Sequence, residues 1–314
     1  EEGQREVLAG YGITEERLGV PVVTTVDTVY LGNCANGRPV WFDRAAYEAD
    51  LIVPINRVKL HTDFVGPIQS GLCKMLVIGL GNHKGCSAVH EEAPEVFAGA
   101  IEETARLILQ KAPVGFGIAI LENAYDKTYA VEAVPAEHLV EREKELVQIA
   151  KGNMPYIMLD EADVIVCGAI GKDISGAGFD PNILGRSSVL KQFVLHIPRY
   201  QRLVLCDVTP ASHGNGIGVG LFDVITKKVA EQLDLESMYA NAIACNCLGD
   251  ASVPCTVDDE ETAIRVALKC CRNIDRDHPR IIRIQNTLHL GEIEVSEALL
   301  DAVRADSRMS LIEN

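Results

Sequence analysis

The chain has 314 residues, 47% hydrophobic and 24% charged, enough to bury more than one core. A net charge of −16 argues against general binding to a phosphate backbone, which needs clustered Lys and Arg to release counterions. Nothing in the sequence resembles a signal peptide or a run of about 20 apolar residues, and we expect a cytoplasmic protein that handles a small molecule, without nucleic-acid or membrane partners.

"EEGQREVLAGYGI" reads as a helix already under way, ending near Gly10 or Gly12. We expect the first domain to have further elements upstream of residue 1. "PVVTTV" then reads as a strand, "PVWFDRAAYEA" as a strand and a short helix, and "DLIVPINRV" as a buried strand. "KMLVIGLG" is a strand or the turn into a helix. "APEVFAGAIEETARLILQKA" is a helix with Pro94 near its first turn, where a missing N–H costs nothing. "VGFGIAILEN" and "AYDKTYAVEAVP" follow as strands.

"AEHLVEREKELVQIAKGNMPY" is a charged amphipathic helix, stopped by Gly152 and Pro155, and reads as a connector. Beyond it, "ADVIVCGAIGKD" and "RLVLCDVT" are strands, "GLFDVITKKVAEQL" and "DDEETAIRVALKCCRNI" helices, and "RIIRIQN" a late strand. Strands alternating with helices predict an α/β protein of two lobes with largely parallel sheets, 1–150 and 151–314, joined by the helix. Such folds bind ligands at the carboxyl ends of strands, which would put the active site in the cleft.

The ten cysteines form no CxxC pair, which excludes zinc-ribbon and thioredoxin readings. In "VIVCGAI" and "LVLCDVT" they act as small hydrophobes, and reduced thiols are expected.

One stretch stands apart. "VKLHTDFVGPIQSGLCKMLVIGLGNHKGCSAVH" carries His61, Lys74, His83, Lys84 and His90 among glycines and aliphatic residues, where a plain core would hold none of them. Gly79, Gly81 and Gly85 miss the GxGxxG dinucleotide spacing by one position. An NAD(P)-dependent oxidoreductase therefore stays open as an alternative, as does a non-catalytic nucleotide- or metal-binding module. Imidazole suits nickel, zinc or copper, but Asp63, Cys73 and Cys86 complete no closed site around His90. Further metal ligands would come from elsewhere, and an organic cofactor could supply them.

The pattern "KLHTDF…SGLCK…GLGNHKG…H" resembles the nickel-dependent lactate racemase family, in which a lysine after a glycine is followed by a histidine 16 residues on, as Lys74 is by His90. The resemblance implies an isomerase, a racemase or epimerase of a small 2-hydroxy acid. It implies a nickel-pincer nucleotide (Ni plus pyridinium-3,5-bisthiocarboxylate mononucleotide), supplied by cofactor-synthesis enzymes acting in trans. Lys74 would hold the pincer through a thioamide and His90 would ligate nickel. His61 would be one of two bases, the other lying upstream of residue 1 with a substrate-binding arginine. His83 and Lys84 would reach the cofactor phosphate. "GAIGKDISGAGFDPNILGR" stands where the family has its glycine-rich substrate loop, so Lys172, Asn182 and Arg186 become candidate substrate contacts. "TPASHGNGIGVGLFDVITKK" is similar to a distant subgroup rather than to lactate racemases proper.

Overall fold

The computed structural model describes residues 2–312, and its elements fall into two units: Glu1–Glu122 with Thr128–Gly152, and Asn123–Lys127 with Asn153–Asn314. The protein is of the mixed α/β class.

The first unit opens with α1 (Glu2–Gly10) and α2 (Glu15–Leu18). No strand forms at "PVVTTV", where Val23 and Val26 are exposed. Pairing starts one step later, with β1 (Thr28–Asn33) antiparallel to β2 (Pro39–Asp43), followed by α3 (Arg44–Tyr47). The nine-residue strand expected at "DLIVPINRV" shrinks to β3 (Ile55–Arg57), because Pro54 has no N–H for a ladder and interrupts the run.

"KMLVIGLG" is helical rather than extended. α4 (Leu72–Lys74) runs directly into a π-helical turn, Met75–Gly79, and then α5 (Asn82–His90). Leu72, Leu76 and Val77 fall on one side of this segment and are fully buried. α6 (Phe97–Lys111) begins after Pro94, not around it. β4 (Phe116–Glu122) alternates buried and half-buried residues, as a strand with one face on a core must.

β4 pairs in parallel with β3 and antiparallel with β5 (Thr128–Pro135). Only Asn123–Lys127 separates β4 from β5, too short for the crossover a parallel pair needs. α7 (Leu139–Asn153) leads into the second unit, but Leu139, Leu146 and Val147 belong to the core of the first.

Parallel pairing is concentrated in the second unit. Its elements are β6 (Val164–Cys167), α8 (Pro181–Leu184), β7 (Arg202–Leu205), β8 (Val224–Thr226), α9 (Lys227–Gln232) and α10 (Leu235–Ala244). There follow β9 (Cys255–Val257), α11 (Glu260–Lys269), β10 (Ile281–Ile284), β11 (Ile293–Val295) and α12 (Leu300–Ala305). The sheet order is β11-β10-β6-β7-β8-β9, with every pair parallel except β10 with β11.

Side chains alternate across this sheet. Ile165, Leu203, Ile225 and Ile282 pack on one face with α8, α10 and α12, while Val164, Val166, Val204 and Val224 meet α11 on the other. Where one helix was expected over "GLFDVITKKVAEQL", the β-branched Val-Ile-Thr run pairs with β7 as buried β8, and Thr226 caps α9.

All ten cysteines are free thiols. Among the described residues no helix is long and apolar enough to cross a membrane.

Candidate active site

Backbone pairing folds the sequence between β3 and α4 back on itself. Lys59 and Ser70 exchange N–H···O bonds of 2.9 and 3.2 Å, closing a loop that contains His61. The buried Gln69 side chain fixes that loop from within, accepting from His61 N at 2.8 Å and donating to Gly66 O at 3.1 Å. Asn56 donates to Gly71 O at 2.8 Å, tying the start of α4 to β3. The 12 residues between His61 and Lys74 are thus spanned by a pinned loop, and the two side chains meet.

Their contact defines protonation states. His61 Nδ1 accepts a hydrogen bond from Asp63 N at 3.0 Å, so in the neutral ring the proton sits on Nε2. Nε2 lies 2.5 Å from Lys74 Nζ, so Nε2–H donates and the lysine must accept. Only a free amine has the lone pair to do so. Electrostatics agree. Burial comes first, and any charge carried by Lys74, Lys59 or His90 adds to it, pressing His61 down to about 3. Burial is also the leading cause that lowers Lys74, with Lys59 adding to it and Asp63 and Cys86 opposing. Burial alone favours the neutral form of both partners.

The π-helical turn after Lys74 sets where the next groups fall. Such turns insert an extra residue into a helix and often mark functional sites. Gly81, after the turn, admits no side chain, since a Cβ would lie 2.0 Å from Val77 O. Asn82 then enters α5 at φ +51, its side chain donating to Asp43 at 2.9 Å. At the far end of α5, exposed His90 holds Cys86 O at 2.7 Å through Nδ1–H, which leaves the Nε2 lone pair available. Ligating histidines use this arrangement, one nitrogen on a carbonyl and the other on the metal. The Cys86 thiol lies 3.4 Å from the same Nδ1, and their hydrogen bond raises His90 and lowers Cys86.

Aromatic rings connect the two histidines: His61 stacks on Phe64, which packs on Phe97, against whose ring His90 lies edge-on. His61, Lys74 and His90 are therefore brought into one neighbourhood. Among the described residues no group of three His, Cys, Asp or Glu is arranged to hold a metal by itself.

His83 and Lys84 line a different feature, an open depression of about 640 Å³ shared with Trp41, Asn36, Arg38 and Glu92. Lys84 Nζ sits 4.6 Å from the centre of the Trp41 ring. The glycines of "IGLGNHKG" stand in helix and turn, not at the strand-to-helix turn that a dinucleotide fingerprint requires.

In the second unit Lys172 follows β6 and spans its own loop, with Nζ 2.7 Å from Gly176 O and 2.5 Å from Asn241 Oδ1. Asn182 is buried at the start of α8, donating to Asp180. Arg186 pairs with Asp223 at 2.7 Å, donates to Leu221 O and covers the Tyr200 ring. Each of the three is engaged in its own local contacts.

Reasoning from sequence missed Gln69, Phe64 and Phe97, which read as loop and core, and Glu143, whose "EREKEL" setting looks like a solvated helix face.

No family model and no curated protein matches the chain. Among solved structures, the lactate racemase apoprotein from Thermoanaerobacterium thermosaccharolyticum aligns with a TM-score of 0.38 and 14% identity, covering 74% of this chain and 66% of that one. A structural-genomics protein from Thermotoga maritima aligns with a TM-score of 0.34 and 14% identity, over 49% of this chain and 46% of its own. The chain thus matches less than two thirds of the length of either. At these scores neither match assigns a function.

Proposed function

We propose that this chain is a lactate racemase-like isomerase, racemising or epimerising a small 2-hydroxy acid with a nickel-pincer nucleotide attached at Lys74. The observation that carries the reading is the His61–Lys74 contact, which requires a free amine at a half-buried lysine. A neutral amine is the nucleophile an acyl-type link consumes, whereas an ordinary surface lysine is protonated at pH 7.

The other residues fit such a group. His90 offers one nitrogen donor with its second nitrogen already anchored on a carbonyl, which suits a metal whose remaining ligands are not side chains. When bound, the cofactor supplies the acceptor and donor of a hydride at the substrate carbon. His61 holds the hydroxyl proton during that transfer.

Acylation of Lys74 removes both the lone pair and the potential charge at Nζ. No charge can then build up on Nζ to depress His61, so attachment suits the ring to act as a base. The order is useful: the pair first presents a nucleophile, then releases a base.

The test is chiral chromatography of enantiopure 2-hydroxy acids, lactate among them, incubated with cofactor-loaded protein. The opposite hand should appear without added NAD(P), and His61→Asn should lower kcat by about 10²–10⁴-fold. Loaded protein that interconverts none of them would contradict the reading.

A further inference from the structure

We infer that Glu143 is the positioning residue of Lys74: its buried carboxylate, reaching over from α7, caps the first turn of the Lys74 helix and holds the amine against His61. The role rests on Lys74 being the working lysine, as proposed above.

Helix N-termini need acceptors for their free N–H groups, and most chains place Ser, Thr, Asp or Asn at the cap itself. Here the cap position is Gly71, which makes no side-chain bond. The acceptor comes instead from 70 residues on, where Glu143 Oε2 takes Cys73 N–H at 2.8 Å and also interacts with Leu72 N–H. Gly71 is what makes room, because a Cβ there would lie 2.6–2.8 Å from the Glu143 carboxyl atoms. The amine of Lys74, one residue beyond Cys73, is therefore placed from a fixed helix start.

Glu143 is 0% exposed, and its Oε1 has no hydrogen-bond partner. An unpaired buried carboxylate oxygen is expensive, so a purely structural position would favour an apolar residue. The groups facing it are the Cys73 thiol, which hydrogen-bonds to it, and beyond that Glu102 and Arg106 of α6, which act on the same thiol. Burial pushes the carboxyl up to about 7, against the pull of the Cys73 and Leu72 N–H groups. Protonation would add an O–H with no acceptor at Oε1, so the cap changes near neutral pH.

The experiment measures the titration of Lys74 in cofactor-free protein. Its rate of acetylation by trace acetic anhydride is read across pH by peptide mass spectrometry, with exposed Lys111 as the internal reference. In Glu143→Ala the Lys74 midpoint should rise by about one pH unit or more, as the helix start is released and the amine reaches water. Glu143→Gln retains an oxygen for Cys73 N–H and should move the midpoint less than half as far. A folded Glu143→Ala protein with an unmoved midpoint overturns the inference, whatever happens to its Tm. If that variant does not fold, the wild-type profile decides the matter. It should show a second inflection near pH 7 that Glu143→Gln lacks, and superimposable profiles overturn the inference. Because no cofactor is present, failure here leaves the proposed attachment at Lys74 intact. An absent cofactor adduct, conversely, leaves this titration unaffected.

Discussion

In a Lys74→Met protein, His61 should titrate above its wild-type value of about 3. Burial is the first cause of that depression and persists in the variant, so recovery toward the ordinary value near 6.5 is partial. What disappears is the second cause, the charge that Nζ carries whenever Lys74 is protonated. Imidazole ¹⁵N and ¹H shifts followed against pH read both the midpoint and the tautomer.

The linked effect is on stability. His61 has a depressed folded pKa, so the unfolded chain binds the proton first as pH falls. The stability is present above about 6.5 and is lost progressively between about 6.5 and 3. For a shift of this size the loss is on the order of 3–5 kcal/mol, and it should be smaller in Lys74→Met. An unchanged His61 midpoint in the variant would show that the two side chains do not interact.

Glu143 has the opposite slope. Its folded pKa is raised, from an ordinary 4.5 to about 7. Between those values the folded chain holds a proton that the unfolded chain has released, so stability falls as pH rises from about 4.5 to about 7. At pH 8 the buried carboxylate costs about 3 kcal/mol relative to pH 4. Glu143→Gln cannot ionise and removes that slope. Urea unfolding of the two proteins at pH 5 and pH 8 should show the variant gaining on wild type as pH increases, by about 2–3 kcal/mol. Parallel pH dependence in the two would mean that the carboxyl is ionised in the fold at pH 5. Glutamate at a position where glutamine would be more stable above pH 7 is consistent with a positioning role.

The candidate site residues were more legible than the geometry joining them. His61, Lys74 and His90 stand out because nucleophiles and ligands are costly in an apolar, glycine-rich segment. The α6 helix and the β4 strand follow from periodicity alone. Nothing in the 13-residue step from His61 to Lys74 announces the Lys59–Ser70 pairing that closes it, since backbone bonds carry no residue signature. The π-helical turn was equally hidden, because "MLVIG" suits a buried strand as well as a buried helix.

Glu143 lies in a run of charges whose neighbours Arg142 and Glu145 pair with each other. Its burial is a tertiary fact. β8 was lost for the reverse reason: "VIT" is too short to show a period, and only its place beside β7 identifies it. The α/β class was readable throughout, whereas the antiparallel pairs of the first unit depend on a hairpin whose brevity decides the pairing.

The central claim of the proposed function is attachment at Lys74. Intact and peptide mass spectrometry, with nickel analysis, should be made on the chain co-expressed with pincer-synthesising enzymes. The account predicts a nucleotide adduct on the peptide containing Lys74, about one nickel per chain, and neither adduct nor stoichiometric nickel in Lys74→Met. An unmodified Lys74 under conditions that load a known racemase would contradict it.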